Sequence, residues 1–380
     1  MSIQLKRATR LFVSTVDKGF SKENTKEVLI QDDFAFNQEA SYTDITVNEA
    51  GPRPIRGSQR FTDALNAADW NFSTYILPYV DSTGKMMVPD YFMWHALSSY
   101  KEIDLAGEHG VHTNETNMMV DFKDSNAHEL LMLQLYFLVD NVWYHIKDCQ
   151  VGQAEVSVDI ENIGMTAWSG QGRLIRLLDT QPFDPKEIGI TDLEYAALQE
   201  SYLVNKLTAF KLKDNKTKKE YDIAITGGSF TINNNITYLT PEVMSRVNYA
   251  IGSFTGTLEI SGSVTAYLND KSLGTVDLYN DLLASLQSVT DFELALVLGG
   301  EYATDRHGAI LVAKHAHITP PSIETDDVLG TTIEFRAIPT ELDARDDGYL
   351  GFSTKFNTTT IKDFIDKGDA HKEADPGTGG

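Results

Sequence analysis

Nine histidines, fifty-five carboxylates and a single cysteine are the side chains in this 380-residue sequence that could carry chemistry. His315-Ala-His317 places two imidazoles on one face of a strand, a start for a metal site, but no third ligand follows at a fixed spacing. His109 and His112 lie in a polar loop with Glu108 and Glu115, without the order of a zincin or a facial triad. Ser169-Gly-Gln-Gly172 and Ser82-Thr-Gly-Lys85 lack both the P-loop pattern and a βαβ context, so they read as turns rather than phosphate cradles. Asp343-Ala-Arg-Asp-Asp-Gly348 resembles a calcium loop without the EF-hand spacing or its final glutamate. A glycosidase pair needs two carboxylates at a set separation, and spacing along the chain does not measure it. Cys149 has no partner for an intrachain disulfide and no evident histidine, and reads as a small buried side chain. No catalytic residue, metal ligand or cofactor is assigned.

The elements around these residues say more. Composition is that of an ordinary globular protein, with 42% apolar and 10% aromatic residues, 27 Gly and 11 Pro. A formal charge of −23 disfavours an extended basic surface gripping nucleic-acid phosphates. The most apolar run, Leu130 to Val139, is too short to span a bilayer and the first residues do not form a signal peptide, so the expectation is a protein made in the cytosol without membrane insertion.

The sequence repeats itself. Phe34-Ala-Phe-Asn-Gln-Glu-Ala-Ser-Tyr42 aligns with Phe230-Thr-Ile-Asn-Asn-Asn-Ile-Thr-Tyr238, an offset of 196 (34 to 230). Trp70 to Ile76 aligns with Gly262 to Leu268 at 192 (75 to 267), Val88 to Leu97 with Val276 to Ser285 at 188 (91 to 279), and Asp159 to Ala167 with Thr325 to Ile333 at 166 (164 to 330). The first two segments alternate as half-buried strands do, and the third has helical spacing, with Pro89 suited to a first turn. Leu131 to Lys147 and Phe292 to Lys314 both read as hairpins, the second turning near Asp305 to Gly308. Order is kept while the offset falls, so loops shorten in the second copy. Between the copies Thr191-Asp-Leu-Glu194 has capping-box spacing and opens a helix. The fold expected is mainly β: two tandem β-sandwich or barrel domains, each with one flanking α-helix, over 1–180 and 206–365, joined by a linker over 181–205. A flexible tail is expected over 366–380, where charge and glycine replace apolar residues.

Ile318-Thr-Pro-Pro-Ser-Ile-Glu-Thr-Asp-Asp-Val-Leu-Gly-Thr-Thr-Ile-Glu-Phe-Arg-Ala337, together with the ordered set of strands and helix, resembles the major tail tube proteins of long-tailed, non-contractile phages (siphophages). In the first copy the equivalent of the Pro-Pro turn is Gln153-Ala-Glu-Val-Ser-Val158, which lacks proline. The resemblance implies a structural protein of the virion tail, not an enzyme. Members with one domain per chain form six-subunit rings, so a duplicated chain implies three-chain, pseudo-sixfold rings stacked into a tube that conducts DNA during ejection. Implied partners are the chain itself, a tape-measure protein, and tail terminator and distal tail proteins, with double-stranded DNA passing through without specific binding.

Alternation divides the strands into an apolar and a polar side. The polar side carries Asp33, Asn37, Glu39, Asp63, Asp69 and Asn71 in the first copy and Asn233, Asn235, Thr255, Glu259 and Ser261 in the second. These are the candidate lumen residues; the same pattern fits the solvated side of any antiparallel sheet. The loop Thr43 to Gly57, with Asn48, Glu49, Arg53 and Arg56, and its counterpart Leu239 to Arg246, with Glu242 and Arg246, correspond to the loop that contacts the adjacent ring in that family. Two other readings stand beside this one: a soluble two-domain β protein binding carbohydrate through exposed aromatics such as Trp143 or Trp168, and the tube of a contractile or secretion system.

Overall fold

The computed structural model describes residues 8–45, 58–99, 110–123, 129–240, 248–284, 290–300, 305–325, 329–342 and 344–370. The first repeat opens with the hairpin β1 (Thr9–Ser14) and β2 (Thr25–Val28), followed by the long pair β3 (Ala35–Ile45) and β4 (Gln59–Tyr75). The short β5 (Tyr79–Val80) and β6 (Met86–Met87) lead to α1 (Tyr91–Ser98), then β7 (Val111–Thr113) and β8 (Asn117–Val120). The hairpin β9 (Leu133–Val139) and β10 (Val142–Asp159), then β11 (Met165–Gly172) and β12 (Leu174–Leu178), complete it.

The connection contains α2 (Pro185–Ile188) and α3 (Asp192–Gln199), the latter opened by the capping box in which Thr191 and Glu194 each bond the other's backbone N–H. In the second repeat come β13 (Ala209–Asp214), β14 (Glu220–Ile223), β15 (Ile225–Asn233), and the short β16 (Thr237–Leu239), β17 (Asn248–Tyr249) and β18 (Gly252–Phe254). After these are β19 (Glu259–Tyr267), α4 (Thr275–Ala284), β20 (Phe292–Leu298), β21 (Arg306–Ile318), β22 (Ser322–Thr325), β23 (Leu329–Ala337), β24 (Tyr349–Phe356) and α5 (Thr358–Ala370).

The ladders of the two repeats superimpose residue by residue. Ile146 faces Leu135 just before a bulge, and Ala313 faces Leu294 just before the same bulge, so β10 and β21 correspond at an offset of 167 (146 to 313). Val151 faces Gly170 and Ile318 faces Phe335, which sets β11 against β23 at 165 (170 to 335). Gly170 faces Trp70 and Phe335 faces Gly262, giving β4 and β19 the offset 192 (70 to 262), so Tyr75 and Tyr267 are equivalent. Trp70 faces Phe36 and Gly262 faces Phe230. Phe230 is thus equivalent to Phe36 and not, as sequence identity suggests, to Phe34. Alternation cannot detect a shift of two because it leaves the faces unchanged.

Large and small residues exchange places between the copies. In the first, Trp70 lies over Gly170, where a Cβ would come 2.3 Å from the indole; in the second, Phe335 lies over Gly262, where a Cβ would come 2.5 Å from the ring. In each copy one aromatic ring fills the space over one glycine although the positions are exchanged, as close packing requires.

One continuous core runs through both repeats, joining Trp70, Phe72 and Trp168 to Phe230, Ile260 and Phe335. Helix α1 is buried along its whole length, and its Trp94 meets Trp168 edge-on at 4.6 Å. Helix α5 is a third long-strand-flanking helix that the repeat did not foretell. Ile361 and Phe364 bury against β21 and β24, and this anchoring carries the helix through Ala370, so residues 366–370 of the expected tail are helical; residues 371–380 lie outside the described residues.

At the start of α1 a carboxylate is sealed in the core. Asp90 accepts hydrogen bonds from Thr74 Oγ1 (2.8 Å) and Trp168 Nε1 (3.2 Å), and burial pushes its pKa up to about 6. Its folded-state value lies above the unfolded one, so the folded state holds the extra proton between about pH 4 and 6. Stability from this group is therefore greatest at the acid end of that window and falls as pH rises through 6, by about 3 kcal/mol in total. Asp90→Asn, which keeps an acceptor and removes the charge, should raise the melting temperature at pH 8 and leave it unchanged at pH 4. An equal shift at both values would show that ionisation of Asp90 does not govern the effect.

Candidate lumen and assembly surfaces

The second half of β10 unites the repeats. It pairs with β11 on one side and, from Gln153 to Asp159, with Asn233 to Gly227 of β15 on the other. The order β3-β4-β11-β10-β15-β19-β23-β22 forms one antiparallel sheet. Its core face reads Phe72, Trp168, Ala154, Ile232, Ile260 across successive strands, each no more than 1% exposed. Side chains alternate, so the next row lies on the opposite face: Asn71, Ser169, Gln153, Asn233 and Glu259 stand opposite one another in register. The row beyond reads Ser73, Ala167, Glu155, Thr231, Ser261 and Arg336, and after it comes one containing Ser157, Ser229, Ser263 and Glu334. The product is a wide surface of hydroxyls, amides and carboxylates backed by a dry core.

Six of the eleven candidate lumen residues meet on this face: Asn37, Asp69, Asn71, Asn233, Glu259 and Ser261. Asp69 accepts from Gln171 Nε2 at 2.9 Å. Glu39 sits at its margin, where a bulge interrupts the β3–β4 ladder and Asn37 Nδ2 donates to it at 3.4 Å. Asp33 precedes β3 and is held by the N–H and hydroxyl of Ser73. Asp63 lies farther out on β4, accepting from Thr43 Oγ1 at 2.6 Å.

Asn235 occupies a turn, with φ at +48° and its amide donating to Thr257. Thr255 is 6% exposed, at a cavity also lined by Leu258, Arg336 and Asp347. It lies just past β18 in an irregular segment where Gly256 N–H returns to the Asn234 and Asn235 carbonyls, and alternation has no meaning outside a strand. Sequence reasoning missed the central strands: Gln153, Glu155 and Ser157 of β10, Ser169 and Gln171 of β11, and Glu334 of β23. The signal was present, since Gln153-Ala-Glu-Val-Ser-Val158 alternates cleanly. One arginine, Arg336, also sits on the face, 3.6 Å from Glu259, where the candidate set was free of cations.

The outer parts of β3 and β4 run past the sheet as an arm. Gln59 to Tyr75 at about 3.3 Å per residue spans about 50 Å. Tyr42, Ile45 and Phe61 are about half exposed on this arm. The smaller β16–β18 pair exposes Leu239 and Phe254 at the same end, and β17 joins the two through a parallel pairing of Asn248–Tyr249 with Ala64–Leu65. Candidate ring-contact residues Asn48, Glu49, Arg53, Arg56, Glu242 and Arg246 lie outside the described residues.

The two lateral edges of the sheet carry the most information. Among the described residues β3 is laddered only to β4, and β22 only to β23. The equivalent edges inside the chain, on β15 and β10, pair with each other. Val156 faces Phe230 there, and they are 1% and 0% exposed. At offset 167 Val156 corresponds to Ile323, which is 47% exposed, and Phe230 corresponds to Phe36, which is half-buried.

The remaining candidates are accounted for structurally. His315 Nδ1 lies 2.9 Å from Asp291 and His317 Nδ1 lies 2.7 Å from Thr290 Oγ1, and among the described residues no three ligands cluster to hold a metal. Cys149 is fully buried, its thiol donating to the Ile146 carbonyl at 3.3 Å, and burial pushes its pKa well up. Trp143 and Trp168 are 6% and 1% exposed, which overturns the reading that either is a surface platform for sugar. Trp168 packs on Trp94, and Trp143 on Phe12 and Phe183, all distant in sequence. No described helix is long and apolar enough to cross a membrane.

Residues 44–337 match the family model described as phage tail tube protein. The chain is also 61% identical over 375 residues to the tail tube protein pb6 of Escherichia phage T5, an alignment covering 98% of this chain and 81% of pb6. A protein whose sheet spans two repeats, whose open face is polar and whose edges stand ready for more strands is thereby placed: the chain belongs to the phage tail tube protein family, a structural component of the virion tail.

Proposed function

We propose that three copies of this chain close into a ring of six repeats, and that stacked rings form the conduit for DNA. The observation that carries this is the pair of unequal exposures at equivalent positions, Val156 at 1% and Ile323 at 47%. Each chain makes one repeat-to-repeat junction internally and presents the two halves of another. Repeating the internal register puts Ile323 of one chain opposite Phe36 of the next, with Ser322 opposite Asn37. Exposed sheet edges, which soluble proteins usually protect, become the means of assembly. Three internal and three interchain junctions then close one barrel, and the polar face of the sheet becomes its inner wall. The arms at one end, with the loops 46–57 and 241–247, reach the adjacent ring; tape-measure, terminator and distal tail proteins meet the lumen and the two tube ends.

The inner wall carries Asp69, Glu155, Glu259 and Glu334 against Arg336, so DNA meets like charge and short polar groups rather than cationic anchors. Replacing Glu155 and Ser157 together by lysine is expected to leave tubes intact and to slow DNA ejection, with the parental rate restored as salt is raised. Ejection kinetics from variant virions check this; an unchanged rate at low salt would mean that this face does not meet DNA. The ring itself is tested by electron microscopy of tubes, in which three chains per axial repeat with pseudo-sixfold density are expected and a six-chain ring would refute the proposal.

A further inference from the structure

In the first repeat the end of the sheet away from the arms is covered by the linker. Tyr202 sits edge-on to Tyr75 with ring centroids 5.6 Å apart. Gly164 N–H donates to the Leu203 carbonyl at 2.8 Å, Asn205 N–H to the Asn162 carbonyl at 3.1 Å, and Val204 bridges Ile163. Leu203 is 2% exposed beneath this strap. The equivalents in the second repeat are Tyr267 for Tyr75 and, at offset 165, Leu329 for Gly164. Tyr267 is 57% exposed and Leu329 49%, an apolar pair at the same end of the same sheet.

The register identifies what covers it. Val13 faces Leu135 and Leu212 faces Leu294, so β1 and β13 correspond at an offset of 199 (13 to 212). The 3-10 turn Asn205–Leu207 leads into β13, and Ala8 lies in a 3-10 turn leading into β1. By the same offset Tyr202, Leu203 and Val204 correspond to Ile3, Gln4 and Leu5, which lie outside the described residues. Within a ring, the repeat next after the second repeat is the first repeat of the neighbouring chain. We propose that the segment Ile3–Leu5 of a second copy straps across Tyr267 and Leu329, making between chains the contact that Tyr202–Val204 makes within one. The inference rests on the three-chain ring and adds a second lateral contact to it, apolar and independent of the strand pairing.

Cross-linking in tubes separates the two. Ile3→Cys with Tyr267→Cys, treated with a short bis-maleimide, is expected to give covalent three-chain species on a denaturing gel, as is the strand-edge pair Phe36→Cys with Ile323→Cys. Tyr75→Cys with Tyr202→Cys should close within one chain and calibrates the reach; Cys149, being buried, supplies no background. Cross-linking of the strand-edge pair without the Ile3–Tyr267 pair overturns the strap and leaves the ring standing. Failure of both interchain pairs overturns both. Ile3→Asp should raise the protein concentration needed for tube growth at least tenfold while leaving the monomer's melting temperature unchanged, and an unchanged growth threshold counts against the strap.

Discussion

Ile323→Asp is expected to abolish tubes while leaving the chain folded. In the free chain this position is 47% exposed on β22, and surface changes of this kind alter stability by only about 0.5 kcal/mol. In the proposed ring it takes the place that Val156 holds inside the chain, against an aromatic side chain. A carboxylate there lacks a partner, and its desolvation costs several kcal/mol at each of three junctions. Since about 1.4 kcal/mol is a factor of ten, each interchain contact weakens by two orders of magnitude or more. The expected observation is a monomer with the parental melting curve and no tubes in negative stain at concentrations where the parent grows them. Normal tubes from this variant would mean that β22 is not a ring-closing edge.

Val156→Asp, the same chemical change at the equivalent position, should instead destroy the fold. Val156 is 1% exposed and its ladder partner Phe230 is 0% exposed. The new carboxylate is buried among apolar side chains already in the monomer, and the loss is expected to be about 4 kcal/mol or more, a large fraction of a domain's total stability. Denaturant titration and soluble yield measure it; a midpoint within about 1 kcal/mol of the parent would show that the repeat-to-repeat junction is not part of the core. The two variants together are a direct comparison of one interface met inside a chain and between chains.

Much of this organisation was legible from residues alone. The order of strands, the helix after each strand pair, the hairpins and the Thr191 capping box come from periodicity and local hydrogen bonding, which involve neighbours in the chain. The polar side of β3, β4, β15 and β19 was readable for the same reason: side chains alternate whatever the strand pairs with. Alternation fails where the strand ends, and so it carries no information about which face Thr255 and Asn235 present. It is also blind to shifts of two, which is why Phe34 stood in for Phe36 as the counterpart of Phe230.

The amino-acid sequence by itself determined the duplication and the excess of acidic and polar side chains. Tertiary structure alone decided that the two copies share one sheet and one core, because the β10–β15 pairing joins distant residues, Gln153 with Asn233 and Asp159 with Gly227, through backbone groups that every residue possesses. It alone decided that Gln153, Glu155 and Ser157 occupy the middle of the polar face, between β11 and β15. It also decided which edges stay open. Val156 and Ile323 are both β-branched apolar residues in strands, and nothing local separates them. Val156 is covered because its own chain continues into a second repeat; in the proposed ring the strand that covers Ile323 comes from another molecule.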